Sequence, residues 1–343
     1  MRVENRVSVF CGRQRGKFSM GGGEMEFNEI RQMADDIKRT VNRVIVGKGE
    51  VVDLLLVALI ASGHVLLEDV PGTGKTLLAK TMARSLGCSF RRVQFTPDLL
   101  PSDLSGIHYY NQKVGDFEFR PGPVFTQILL ADEINRATPR TQASLLECME
   151  ERQVTVDGET RRLDSPFLVL ATQNPVENQG TFPLPEAQLD RFLVKIKMGY
   201  PSTDEAMHIL KRFKEDDPLE TIEPVASAAT ILEAQRMFRR TRITDELLAY
   251  IVAIVEKTRT HPEAAAGVSP RGSQALLRAS QVYAVLQGRD YVVPDDIKAM
   301  AAPVLAHRII LRNAMRQKDG MAERIVAQVL AETAVPAEEP VRG

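Results

Sequence analysis

The stretch Glu68-Asp69-Val70-Pro71-Gly72-Thr73-Gly74-Lys75-Thr76 constrains this chain more than any other part of it. It lies between a strand-length apolar run, His64-Val65-Leu66-Leu67, and a helical pattern running from Lys75 to Leu86. The glycines let the backbone curl until several N–H groups face one point, and the helix that follows adds the positive end of its dipole. Such a turn is a cradle for phosphate oxygens. The set Pro71, Gly72, Thr73, Gly74, Lys75, Thr76 and Leu77 is therefore expected to hold a nucleotide. Lys75 would reach the outer phosphates, and the Thr76 hydroxyl would hold Mg2+. One position departs from the general pattern: Asp69 stands where a glycine is usual.

The surrounding sequence supplies a sheet for that cradle. Further strand-length runs occur at Phe90–Phe95, Ile128–Asp132, Phe167–Ala171 and Leu193–Met198, with an amphipathic helix at Pro139–Arg152. Strands alternating with helices predict a parallel sheet covered on both faces. The stretches Ile107–Phe119 and Val154–Leu163 break the rhythm. The first carries Val114-Gly115-Asp116, the second Asp157-Gly158, and both read as inserted β-hairpins. From about Thr221 onward strand-like runs give way to helical patterns at Ala229–Arg239, Asp245–Arg259, Ser273–Gln287, Pro294–Ala306 and Met321–Glu332. The fold class expected is an α/β core with a parallel five-stranded sheet and two inserted hairpins, followed by a separate all-α domain. The divisions expected are a disordered leader (1–23), the α/β core (24–205), a linker (206–220), the helical domain (221–333) and a disordered tail (334–343).

Composition narrows the function. The 343 residues carry a formal net charge of -1, which argues against a dedicated nucleic-acid or membrane-surface binder. The longest apolar run, Leu54–Ala61, is far too short to span a membrane and reads as a buried helix. Three cysteines, Cys11, Cys88 and Cys148, have no paired spacing, so neither a disulfide framework nor a Cys-x-x-Cys metal site is present. The five histidines never fall at ligand spacing. With no secretory signal visible, the reducing cytoplasm is the expected compartment. The pairs Arg91-Arg92, Arg161-Arg162 and Arg239-Arg240 read as solvated surface.

Two more segments carry chemistry. The run Ile128–Ala131 ends in Asp132-Glu133, and an apolar strand of a parallel sheet delivers such carboxylates to its ligand edge. Asp132 would fix Mg2+ through its water shell, and Glu133 would polarise an attacking water. The strand Phe167–Ala171 leads into Thr172-Gln173-Asn174. The Asn174 amide would hold the water or read the terminal phosphate, with capping of the turn before Pro175 as the alternative.

Together with Asp132-Glu133-Ile134-Asn135-Arg136, Thr172-Gln173-Asn174-Pro175 and Leu184-Pro185-Glu186-Ala187-Gln188-Leu189-Asp190-Arg191-Phe192, the phosphate loop resembles the MoxR family of AAA+ ATPases from about Phe27 to Leu330. The resemblance implies ATP and Mg2+ as ligands, and roles for particular residues. Lys75 and Thr76 resemble the Walker A pair, Asp132 and Glu133 Walker B, and Asn174 sensor 1. Arg191 is similar to the arginine finger that completes a neighbouring subunit's site, and Arg271, in Val268-Ser269-Pro270-Arg271-Gly272, to sensor 2 at the start of a lid helix. The family places one hairpin within helix 2 and another before the sensor-1 strand, where the two hairpins expected here stand.

What the resemblance implies for function is Mg-dependent ATP hydrolysis by a homo-oligomeric, hexameric ring. That hydrolysis would drive chaperone-like remodelling, maturation or metal insertion in a client complex, with a von Willebrand factor A-domain protein as partner. An alternative is a nucleic-acid-remodelling AAA+ motor, because related rings with the same inserts unwind DNA. The hairpin Ile107–Phe119 carries only Lys113 against Asp116 and Glu118, which speaks against it. A non-hydrolysing nucleotide-gated scaffold is opposed by the intact Glu133 and Arg191.

Overall fold

The computed structural model describes residues 25–68, 72–174, 180–215, 218–313 and 320–336. The expected leader, most of the tail, Asp69–Pro71 and Pro175 lie outside them. The chain begins with α1 (Phe27–Asn42), α2 (Gly49–Ile60), β1 (Val65–Glu68), α3 (Lys75–Ser85), β2 (Phe90–Gln94) and α4 (Pro101–Ser105). Next come β3 (Gly106–Asn111), β4 (Asp116–Pro121), β5 (Ile128–Asp132), α5 (Pro139–Glu151), β6 (Gln153–Val156) and β7 (Glu159–Arg162). Then follow β8 (Leu168–Gln173), α6 (Glu186–Leu189), β9 (Val194–Ile196) and α7 (Thr203–Glu215).

The five apolar runs make one sheet in the order β2-β5-β8-β1-β9, and every neighbouring pair is parallel. Burial follows the pattern expected of strands covered on both faces: β5 is buried throughout, while the edge strand β2 buries only Val93. On one face Leu67, Leu130 and Leu170 pack with α1, α2 and α3; on the other Leu129 and Val169 pack with Leu145 and Met149 of α5. Removing this apolar surface from water drives the assembly, at roughly 25 cal/mol per Å2. Helix α2 is the expected buried helix, with Val52, Leu55, Val57 and Ile60 all at or near zero exposure.

Both hairpins form: β3 pairs with β4 from Asn111–Asp116 outward, and β6 with β7 around Asp157-Gly158. They are joined to each other. His108 Nδ1 lies 2.7 Å from Asp157 Oδ2, and the Arg161 guanidinium sits 4.1 Å above the Phe119 ring. Arg161 is thus a structural contact and not the solvated arginine expected from its sequence.

The C-terminal part contains α8 (Ala228–Met237), α9 (Asp245–Thr260), β10 (Ala264–Ala266), α10 (Pro270–Leu286), α11 (Pro294–Leu305), β11 (Ile310–Leu311) and α12 (Met321–Glu332). Ser227, Thr244 and Ser269 cap α8, α9 and α10 by accepting from amides of the first turn. Two features differ from the expectation. The helical part also holds an antiparallel pair, β10 with β11, too short for its alternation to register in sequence. The expected linker is largely the end of α7, an amphipathic helix whose apolar residues recur at helical spacing. The helical part packs on the α/β core mainly through α10, which contacts α1 and α2.

Candidate functional site

Parallel strands end at one edge of a sheet, and register fixes what is gathered there. Glu68 of β1 pairs with Gln173 of β8, and Gln94 of β2 with Asp132 of β5. The phosphate loop leaves this same edge. Gly72 (φ 84°) and Gly74 (φ 87°) are both left-handed, a conformation that glycine adopts without strain, and nothing lies within 4 Å of a Cβ built on either. Gly74 is the N-cap of α3 and offers no side-chain acceptor to the amides of Lys75, Thr76 and Leu77. Those amides and the helix dipole are what an anion would meet.

Asp132 is the last residue of β5 and is nearly buried. Its Oδ1 accepts from the Thr172 hydroxyl at 2.6 Å, and its Oδ2 from Arg92 Nη2 at 2.6 Å. Glu133 follows with φ 56° and ψ 51°, a left-handed conformation uncommon for a residue with a side chain. The Thr172 hydroxyl holds that bend by accepting from the Glu133 amide at 2.8 Å. Arg136 Nη1 donates to Glu133 Oε2 at 3.1 Å. Gln142 of α5 donates to the carbonyls of Ile134 and Ala137, which steadies the turn beyond. Asn174 follows β8 at this edge and is buried. The loop, Asp132, Glu133 and Asn174 thus share the strand-end edge.

A hydroxyl at Thr76 and a carboxylate at Asp132 are hard oxygen donors that fit Mg2+. Among the described residues no group of three or more His, Cys, Asp or Glu forms a metal cage. A cation here would take its remaining ligands from phosphate oxygens and water, as Mg2+ commonly does.

Arg191 and Arg271 are elsewhere. Arg191, just past α6, donates from Nη1 to the Leu146 carbonyl at 3.1 Å and lies 3.9 Å from Glu150 Oε2. Arg271, in the first turn of α10, donates from Nη2 to that same Glu150 carboxylate. The cavity they line, about 360 Å3, also includes Ser62, Gly63 and His64 ahead of β1 and Leu193 ahead of β9. It therefore opens at the strand-start edge, across the sheet from the phosphate loop. Five arginines line it (Arg152, Arg191, Arg271, Arg278 and Arg308), against the carboxylates of Glu150 and Asp190. In its lining His64 is buried: Met149 O lies 3.0 Å from Nε2, and the Val169 amide donates to Nδ1. Burial, and secondarily Arg152, push its pKa down to about 3, so it stays neutral.

Sequence reasoning missed several of these residues. Arg92 is solvent-exposed as expected, yet it is also a partner of Asp132, because β2 lies directly beside β5. Thr172 lies within a motif noted for its amides, yet it is its hydroxyl that joins Asp132 to Glu133. Glu150 and Arg308 have no local signal at all.

A phosphate loop and two carboxylates gathered at one edge of a parallel sheet, followed by a helical lid, define a nucleotide-hydrolysing machine of the AAA+ class. Residues 64–194 match the model of the ATPase family associated with various cellular activities (AAA), and residues 256–329 match the AAA lid domain. The chain is 53% identical over 296 residues to YeaC of Bacillus subtilis, covering 86% of this chain and 92% of that protein. It is 42% identical over 325 residues to the chaperone MoxR1 of Mycobacterium tuberculosis, covering 92% and 85%. The crystal structure of a candidate ATPase from Cytophaga hutchinsonii is similar, with a TM-score of 0.85 and 39% identity, over 91% of this chain and 97% of that one. The chain belongs to the MoxR family of AAA+ ATPases, and its activity is ATP hydrolysis of a chaperone-like kind. None of its described helices is long and apolar enough to cross a membrane.

Proposed function

We propose that ATP is hydrolysed at sites shared between neighbouring subunits of a cytoplasmic ring, hexameric as in the family, and that the work is remodelling of a client protein. The observation that carries this reading is the placement of Arg191 and Arg271 at the edge opposite the phosphate loop. From there neither arginine serves its own subunit's nucleotide. A ring brings this strand-start face against the next subunit's strand-end face, and so completes one site from two chains.

Within the shared site each residue has a distinct task. The amides from Gly72 to Leu77 and the Lys75 ammonium bind the phosphates. Glu133, held by the Thr172 bridge, accepts a proton from the attacking water, and Asn174 orients that water. Arg191 and Arg271 of the neighbour meet the charge that develops as the terminal phosphoryl leaves. Mg2+, held by Thr76 and Asp132, would supply further charge neutralisation.

A polypeptide client agrees with the β3–β4 hairpin. Its tip exposes Tyr110, Val114 and Phe117, while Lys113 and Arg120 are balanced by Asp116 and Glu118. A hairpin with an apolar tip and no net charge suits a protein better than a phosphate backbone. A von Willebrand factor A-domain partner and metal insertion into the client remain part of the proposal through the family.

Mixing two inactive variants tests the shared site. Lys75→Ala subunits bind no nucleotide but present Arg191; Arg191→Ala subunits bind nucleotide but lack the finger. Rings that exchange subunits should recover ATPase activity on mixing. Exchange verified by crosslinking with no recovered activity would refute the shared site. Stimulation of phosphate release by single-stranded DNA, and not by unfolded protein, would refute the client assignment.

A further inference from the structure

Among the arginines that form ion pairs in the described residues, Arg308, just past α11, has the most deeply buried side chain, at 2% exposure. Its neighbours are few in sequence but concentrated in space. Nε donates to Asp190 Oδ1 at 2.7 Å, and Nη2 to the Asp190 and Phe192 carbonyls at 3.2 and 2.6 Å. Nη1 donates to the Leu193 carbonyl at 3.2 Å, and also to Val304 O of its own helix. The residue thus grips both sides of Arg191 while leaving the Arg191 side chain itself untouched.

The other oxygen of Asp190 faces the lid. Asp190 Oδ2 accepts from the Ser269 hydroxyl at 3.0 Å, and Ser269 is the N-cap of α10, two residues ahead of Arg271. Gly272 keeps the passage open: a Cβ built there would lie 2.9 Å from Arg308 Cδ. One carboxylate therefore ties together the segment bearing Arg191 and the helix bearing Arg271, and one buried guanidinium holds that carboxylate.

Stability alone does not account for such a node. Desolvating an ion pair costs about as much as its attraction returns, and apolar replacements of similar volume are often as stable. Burial does lower the Arg308 pKa to about 10, with Asp190 opposing, so the group remains charged near neutral pH. What the pair adds is a fixed geometry. We infer that Arg308, through Asp190, is a positioning residue for Arg191 and Arg271 together, setting the pair of arginines that a subunit presents to its neighbour's ATP.

This inference rests on the shared-site reading, and its test separates the two. In mixed rings, Lys75→Ala subunits donate arginines and Arg191→Ala subunits accept them. Arg308→Lys is added to the donor in one mixture and to the acceptor in another. In the donor it should cut the recovered activity at least tenfold; in the acceptor the recovery should stay within twofold of the unmodified mixture. Rings made wholly of Arg308→Lys subunits should lose kcat with KM for ATP unchanged within threefold, since their own phosphate loop is intact. Equal losses in both placements would mean the node only supports the fold, and would overturn the inference. No loss in either would overturn it as well. If the unmodified mixture itself recovers nothing, the shared-site reading fails and the inference falls with it. Asp190→Asn, which keeps the shape and a hydrogen-bonding oxygen, provides a second donor variant if Arg308→Lys does not fold, with the same asymmetry expected.

Discussion

Thr172→Val tests how the two carboxylates of the ATP site are held. The side chain is buried at 1% exposure, and valine nearly matches its volume, so no large cavity opens. Two hydrogen bonds are lost: the charge-assisted one to Asp132 Oδ1 at 2.6 Å and the one from the Glu133 amide at 2.8 Å. The first is worth about 1.5–3 kcal/mol and the second about 1 kcal/mol, which together predict a loss of about 2.5–4 kcal/mol in stability. Chemical denaturation should report this as a lower midpoint at unchanged slope. The effect on turnover is separate. Glu133 sits in a left-handed conformation that nothing but its surroundings enforces. Freeing its amide should let the carboxylate drift, and misplacement of about 1 Å costs up to roughly a hundredfold in rate. We expect kcat to fall about tenfold to a hundredfold with nucleotide affinity little changed. Thr172→Ser keeps the hydroxyl and should retain most of the activity. A Thr172→Val protein with wild-type midpoint and wild-type kcat would refute the bridge; a loss of stability alone would leave it a structural bond.

Lys75→Ala should abolish ATP binding, because the loop loses its cation; calorimetry finding affinity within tenfold of wild type would remove the loop from the site. Glu133→Gln should bind ATP and retain it unhydrolysed, stabilising the fold by linkage, which a thermal melt with and without nucleotide would detect. Stability should fall on acidification from pH 6.5 towards about 3, because His64 takes up a proton in the unfolded chain well before the folded one does. Over the step from pH 6.5 to 5 the cost is about 2 kcal/mol from His64, and buried His307 acts in the same direction. Replacing His64 with Asn should flatten that part of the profile, and an unchanged slope would exclude His64 as its source. Burial pushes the Cys88 and Cys148 thiols up to about 11 and 12, so both should resist alkylation in the native protein when read site by site by mass spectrometry.

Much of this protein is local in its coding. The strand runs, the phosphate loop, both hairpins and the buried helix α2 were legible because a few adjacent residues carry each signal: apolar run length, glycine at a turn, Asp-Gly between alternating stretches. The same holds for Asp132 and Glu133, since a strand that ends in carboxylates in a parallel sheet delivers them to one edge. Helix α7 and the β10–β11 pair were not legible as such. The first lies in a stretch that was expected to be a linker, and the second pairs residues too few to show a period.

The assembly of the site depended on distance in sequence. That the exposed Arg92 is also a partner of Asp132 depends on β2 and β5 lying side by side, which the order β2-β5-β8-β1-β9 decides. Thr172 reaches Asp132 from 40 residues away, and Arg308 reaches Asp190 from 118. No periodicity links such residues, because their contact follows from how the sheet and the lid bury their apolar faces. By itself the sequence determined the class of fold, the nucleotide loop and the chemistry of its carboxylates, since each is written in neighbouring side chains. Only the tertiary structure decided that Arg191 and Arg271 share one carboxylate at the far edge of the sheet, because the direction of parallel strands, and nothing local, separates one edge from the other.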